Sequence, residues 1–396
     1  MLRTYFDYNA TTPIDESVAK AMSKEAFELF GNPSSNHQYG GSSKKKIEKS
    51  REEIAALIGA KPNEIYFTSG GSEANNWVLK GWIEQFRFDP IHVITSMIEH
   101  PSVLEVCKYL ERYFNAEITY LEVDKNGFVS VDDLERSILP HTRIISLMMS
   151  NNEIGSIQPI QECASIAKRY GIFFHTDAVQ AVGRIRINIE ELGVDALSFS
   201  GHKFYGPKGI GGLFLKESRA LEPLLHGGSQ ENGLRSGTEN VISIVGLGEA
   251  SAKIRQEFKE DYERIQAYKN LLLKQLIERI PHTCINGSTD QEHVLNNTVN
   301  ISFENVRGEA VAALLNQIYG IAVSVGSACS SNKQASLSHV LTAIGLSEAQ
   351  IRSSIRISIG KYTQKDDVFF LINALEHVVS KLRRMIPIEQ NNFVQL

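Results

Sequence analysis

The sequence has few cysteines, and none of them is closely spaced. Cys107, Cys163, Cys284 and Cys329 are its four, with no CxxC among them. That argues against a disulfide framework and against a structural zinc site, so no metal is expected. Long hydrophobic runs are also missing. Stretches such as "IISLMM" fall far short of the ~20 apolar residues that span a bilayer. The opening "MLRTYFDYNATTP" lacks the apolar core of a signal peptide. These absences lead to the expectation of a cytoplasmic chain with no membrane partner. Nor does one charge dominate: 41 Lys and Arg stand against 46 Asp and Glu, a formal net charge of -5. Direct binding to nucleic acid is not expected from that balance. The one basic run, Lys44-Lys45-Lys46, reads as a solvated helix face.

What is present is the composition of an ordinary globular protein, 42% hydrophobic and 22% charged over 396 residues. That length predicts two or three domains. Between residues 60 and 220, short β-rich runs alternate with helical patterns. The runs are "EIYFTS", "HVITS", "AEITYLEV", "RIISLMM", "GIFFHTDA", "ALSFS" and "GGLFLK". Such alternation implies a largely parallel sheet covered on both faces, with ligands bound outside the carboxyl ends of its strands. After residue 238 a long helical pattern leads to a second region with the strand-like runs "TVNISFENV", "GIAVSVGSAC" and "SSIRISIG".

Three strand ends carry chemistry. In "TSGGSEANN", two glycines and Ser72 stand at a strand-to-helix turn. Backbone N–H groups and a hydroxyl there suit a phosphate, and equally suit a plain N-capped turn. "FFHTDAVQ" ends an apolar strand in Asp177, with Gln180 three residues on. A carboxylate at that depth needs a partner, such as a protonated pyridine nitrogen; a helix cap is the alternative. "SFSGHKFYGPKG" supplies Ser200, His202 and Lys203 on a glycine-rich loop. A lysine becomes a nucleophile where burial or cationic neighbours lower its proton affinity. Together these features describe a site for pyridoxal 5'-phosphate (PLP), for which a lysine and a ring-nitrogen partner are diagnostic.

The chain resembles the cysteine desulfurases, the NifS/IscS-like branch of the class V aminotransferase group. The resemblance runs from "FDYNATTP" through "GNPSSNHQYG", "EHPSV", "NNEIG", "HTDAVQ", "SFSGHKFYGPKGIGG" and "RSGTENVISIVGLGEA" to "GSACSS" and "SSIRISIG". It implies the α/β architecture of PLP-dependent transferases of fold type I: a large domain with a mainly parallel seven-stranded sheet, plus a smaller α+β domain. The large domain is expected over 15–255, and the small one over 1–14 and 256–396, with a catalytic cysteine loop at about 324–338.

The resemblance also assigns roles. Lys203 would form the Schiff base, with Asp177 on the ring nitrogen. His100 would stack on the ring and assist proton transfer; its alternative is a capping or core histidine. Asn152 and Gln180 would contact the oxygen side of the ring, Asn152 also facing the substrate. Gly71, Ser72, Ser200 and His202 would hold the phosphate. Thr238 would reach the phosphate of a neighbouring subunit, implying a homodimer. Arg356 would clamp the substrate carboxylate, a task its planar fork fits. Cys329, alone among Gly, Ser and Ala before a polar loop, would be the thiolate nucleophile that takes sulfur from L-cysteine, releasing alanine. Cys107 and Cys163 lie in amphipathic helical runs and read as core residues.

Some positions depart from the commonest family pattern. Gly71, Ser72 and Ala74 stand where Ala, Thr and Ser are usual, "ASLSHVL" lacks the frequent "LEPS", and the chain ends "MIPIEQNNFVQL" without an extended tail. The sulfur acceptor therefore stays open between an iron–sulfur scaffold and a thio-modification enzyme serving tRNA thiolation or DNA phosphorothioation. A selenocysteine lyase, an aminotransferase and a catalytically idle interaction module are the rival readings. Cys329 argues against the aminotransferase. The joint presence of Lys203, Asp177, His100, Arg356 and Cys329 argues against the idle module.

Overall fold

The structure is a computed structural model of the chain, and it describes residues 4–216, 219–325 and 337–385. Its largest sheet has seven strands. Their spatial order is Ile65–Thr68, Gly211–Leu215, Ala196–Ser200, Phe173–Asp177, Thr142–Met148, His92–Ser96 and Glu117–Leu121. The last five run parallel. Gly211–Leu215 runs against both of its neighbours, which makes the sheet mixed. Strands His92–Ser96, Phe173–Asp177, Ala196–Ser200 and Gly211–Leu215 are buried at every position. This is what unbroken apolar runs give when helices cover both faces of a sheet.

The pleat sends successive side chains to opposite faces. Phe174, Leu197 and Phe214 enter one core, with Ile47, Ile54 and Ile58 of helix Gln38–Ile58. Phe173, Ala196 and Leu213 enter the other, with Trp77 of helix Gly71–Ile83 and Val103 of helix Pro101–Phe114. Each fully buried side chain of this size stabilises the fold by about 1.5–3 kcal/mol. The two cysteines in amphipathic runs, Cys107 and Cys163, are buried in these cores.

A four-stranded antiparallel sheet forms the second layer, in the order Ser324–Val325, Ser354–Ser358, Thr298–Phe303, Thr283–Ile285. Its core joins Val299, Ile301, Ile355 and Ile357 to Leu371 and Leu375 of the last described helix, Lys365–Arg384. Phe6 of the N-terminal segment is buried in the same core. Helix Val241–Arg279 connects the layers: Ile254 belongs to the first core and Ile265 to the second. The expected boundary between 255 and 256 falls inside this helix. Residues 337–352 pack differently from the rest of their expected domain. Val340, Leu341, Ile344 and Ile351 cluster with Ile98, Met148 and Ile154, at the mouths of the large sheet. Among the described residues no helix is long and apolar enough to cross a membrane.

Candidate active site

At the carboxyl ends of the parallel strands lies a cleft of ≈ 700 Å³. It gathers Gly71, Ser72, His100, Asn152, Asp177, Gln180, Ser200, His202, Lys203 and Arg356. Residues from five separate strand ends, the N-terminal segment through Asn9, and the smaller sheet thus meet in one place, as ligand sites on such sheets do. Thr238 is exposed and does not line this cleft. Cys329 lies outside the described residues, as does most of the cysteine loop expected at 324–338.

Lys203 follows strand Ala196–Ser200 in a single 3-10 turn, Gly201–Lys203. Its Nζ donates to two carbonyl oxygens of the N-terminal segment, Asn9 at 2.6 Å and Ala10 at 2.9 Å. Burial pushes its pKa down to about 7, and the Arg184 and Arg356 guanidiniums push the same way, against Asp177 and Asp7. Lys203 is therefore half-buried, aimed and easily deprotonated. His202 beside it is driven down to about 4, by burial first and then by Lys203, Lys208 and Arg184. It is neutral near pH 7, with Nδ1 at 3.2 Å from Thr11 Oγ1.

Asp177 ends its strand nearly inaccessible to solvent. Its Oδ2 accepts from Asn75 Nδ2 at 2.7 Å and its Oδ1 from Val179 N at 2.9 Å. The carboxylate thus caps a turn and no α-helix begins there, so one alternative raised by the sequence is half right. The same Asn75 amide donates to Ser102 Oγ, which lies 2.8 Å from His100 Nδ1. His100 is indeed the N-cap of helix Pro101–Phe114, accepting from Ser102 N. The cap fixes the ring where it borders the cleft. Burial lowers the His100 pKa, and Lys203 and His339 add to that against Asp177.

The N-terminus of helix Gly71–Ile83 opens onto the cleft through Gly70, Gly71 and Ser72. The glycines let this turn pack closely against its neighbours. A Cβ on Gly71 would stand 2.4 Å from Val179 Cγ2, and one on Gly211 would stand 2.7 Å from the Gly70 Cα. Arg235 of "RSGT" is tied to this helix end by an ion pair with Glu73, 2.8 Å long.

From the opposite wall Arg356, on strand Ser354–Ser358, donates to Asp7 Oδ1 at 2.6 Å and to the Asn152 carbonyl at 3.0 Å. Gln180 also lines the cleft, but its amide is engaged by the Asn9 carbonyl and by Arg184.

Sequence reasoning missed Asn9, Asn75 and Arg184. Asn9 is a hub: its Nδ2 donates to the Asn152 carbonyl and to Thr298 Oγ1, while its carbonyl holds Lys203. Its presence in "FDYNATTP", a motif quoted for the resemblance but given no role, was the available signal. Asn75 stood in "TSGGSEANN", overlooked beside the glycines.

The residues fit PLP. An anion cradle, a buried carboxylate and an amine of low proton affinity occur in one cleft, matching the phosphate, pyridine nitrogen and aldehyde of that cofactor. Among the described residues, three buried polar atoms of the lining have no hydrogen-bond partner: Asn75 Oδ1, Ser150 Oγ and Arg356 Nε. Orphaned atoms of this kind in a polar cleft are what a bound ligand satisfies.

Fold and site define a PLP-dependent enzyme of the aminotransferase class-V type, and the model of that family matches residues 4–371. A cysteine desulfurase IscS from Dictyoglomus turgidum is 46% identical over 386 residues, covering 98% of this chain and 97% of that protein. A solved NifS-like protein superposes with a TM-score of 0.89 at 37% identity, over 96% of this chain and 100% of that one. A structure described as SspA in complex with cysteine gives 0.79 at 37% identity, over 91% and 100%. The chain belongs to the class-V aminotransferases and, within them, to the cysteine desulfurases.

Proposed function

We propose that this enzyme converts L-cysteine to L-alanine and passes the sulfur on through a persulfide at Cys329. The observation that supports it most is the meeting of Lys203, Asp177 and Arg356 in one cleft. Bound PLP supplies the electron sink that lets an amino acid lose its α-proton. Lys203, weakly basic and aimed by two carbonyls, moves that proton. Asp177, held by Asn75, keeps a proton on the ring nitrogen. His100, neutral and fixed by its own cap, borders the same space and relays protons. Arg356 offers its fork to the substrate carboxylate. The Cys329 thiolate attacks the substrate sulfur. An S–S bond forms as the bond from Cβ to sulfur breaks, and that electron pair stays with the three-carbon skeleton, which takes up a proton and leaves as alanine.

We also read the enzyme as a homodimer in which Thr238 serves the neighbouring cleft; its exposure and the Arg235–Glu73 tie support that reading. Iron–sulfur assembly is the proposed destination, supported by full-length similarity to proteins named IscS. The cytoplasm is the proposed compartment, in keeping with free thiols at Cys107, Cys163 and Cys284.

The test is paired: alanine and sulfide formed from L-cysteine with a reductant, by wild type and by Cys329→Ala. Product from wild type alone is expected. Equal product from both removes Cys329 as the nucleophile and favours a lyase.

A further inference from the structure

Arg184 is largely buried and lines a small cavity of ≈ 40 Å³ together with Lys203. Its three hydrogen bonds all go to neutral oxygens. It donates to Asn9 Oδ1 at 2.8 Å, to Gln180 Oε1, and to the Tyr8 carbonyl at 2.9 Å. No carboxylate among the described residues pairs with it. Asp261, which borders the same cavity, is ion-paired to Arg264. An unpaired buried guanidinium is costly and needs a reason. The groups that face Lys203 are Asp7, His100, Asp177, Arg184, His202, Arg356 and, across the cavity, Asp261. Of the two guanidiniums, Arg356 is neutralised by Asp7 and is committed to the substrate side. Arg184 is neutralised by no carboxylate among the described residues and does not line the main cleft. It also grips the side chain of Asn9, whose carbonyl holds Lys203 Nζ.

We propose that Arg184 is the positioning residue for Lys203: a cation at neutral pH whose charge opposes a second one on the amine, and whose fork fixes Asn9 so that the amine is aimed. This rests on Lys203 being the cofactor-binding lysine. A nearby fixed cation favours the free base of a lysine, and free base is the nucleophile. The forked geometry supplies the aim, which an ammonium at the same place cannot.

The charge is tested on the full chain stripped of cofactor. Lys203 is labelled with trinitrobenzenesulfonate across the pH range and quantified by mass spectrometry. The amine reacts as the pH rises through its midpoint, expected near 7 in wild type. Arg184→Gln is expected to raise that midpoint by at least about one pH unit, while Arg184→Lys keeps it. The aim is tested by adding PLP and following absorbance. Arg184→Lys is expected to capture the aldehyde several-fold more slowly than wild type at the same pH. The proposal requires both results. It is overturned by a wild-type midpoint at the ordinary lysine value, by equal midpoints in wild type and Arg184→Gln, by equal rises in both variants, or by unchanged capture in Arg184→Lys. If Arg184→Gln fails to fold by circular dichroism, the wild-type midpoint and the Arg184→Lys capture rate still decide. Labelling uses neither cofactor nor cysteine, so a chain that failed to desulfurate cysteine would leave this result standing.

Discussion

Two of the cations that face the cleft come from two different sheets, and they are built for opposite purposes. Lys203 comes from the large sheet and Arg356 from the small one. Both donate to main-chain carbonyls. Only Arg356 has a carboxylate, Asp7, at 2.6 Å. Arg356 therefore carries a fixed charge with a defined fork. Lys203 has carbonyls alone and neighbouring positive charge, so its proton is loosely held. Residue type decides which of the two can give up its proton, and burial with the neighbouring charges decides how readily Lys203 does so.

The largest effect expected from breaking this contrast is at Lys203. Lys203→Ala removes both the covalent anchor of the cofactor and the base that moves the α-proton. Turnover of cysteine should fall at least ~10³-fold, the upper part of the range for a general base. The spectrum of lysine-linked PLP should be lost as well. A variant that kept substantial turnover would end the assignment of Lys203.

Arg356→Lys sharpens the contrast with a smaller effect. The charge stays and the ion pair to Asp7 can persist, but the planar fork is gone. KM for cysteine should rise roughly tenfold with kcat changed much less, as expected for an interaction lost equally in ground and transition states. If kcat instead fell as far as in Lys203→Ala, Arg356 would belong to the chemistry and the clamp reading would fail.

The same contrast explains what could be read from the sequence. Lys203, Asp177 and the Gly71–Ser72 turn were legible because each ends an apolar strand, and strand ends of a parallel sheet point at the ligand site. The inner strands were legible because burial on both faces leaves unbroken apolar runs. The supporting residues were not. Asn9 lies 194 positions from the lysine it holds, and Asn75 lies 102 from Asp177. Neither pattern nor propensity links such pairs; only the packed sheet does. Arg184 was illegible for another reason. In sequence it resembles any surface arginine in "GRIRI", and its neutral partners leave no charged pattern to notice. The packing of 337–352 against the large sheet was also hidden, since "HVLTAIGL" shows an apolar face but not which core receives it.

A pair of carboxylates repeats the comparison with the sign reversed, and carries the smallest expected effect. Asp177 and Glu99 both lie at strand mouths and both are buried. Asp177 is set against a place for a cation. Among the described residues Glu99 has only Ser96 Oγ at 2.7 Å and Met148 N at 2.8 Å on Oε1, while Oε2 has no partner. Burial raises its pKa to about 8, from 4.5 when the side chain is free. The folded protein thus holds a proton that the unfolded chain gives up. Its contribution to stability is complete below pH 4.5, declines as the pH rises towards about 8, and levels off above that. Glu99→Gln keeps the shape and the two accepted hydrogen bonds but cannot ionise. With PLP at fixed concentration, its melting temperature should match wild type near pH 5 and exceed it by a few degrees near pH 9. Parallel melting curves for the two proteins across that range would mean that Glu99 ionises freely in the fold, and that burial without a partner is not what sets these groups apart.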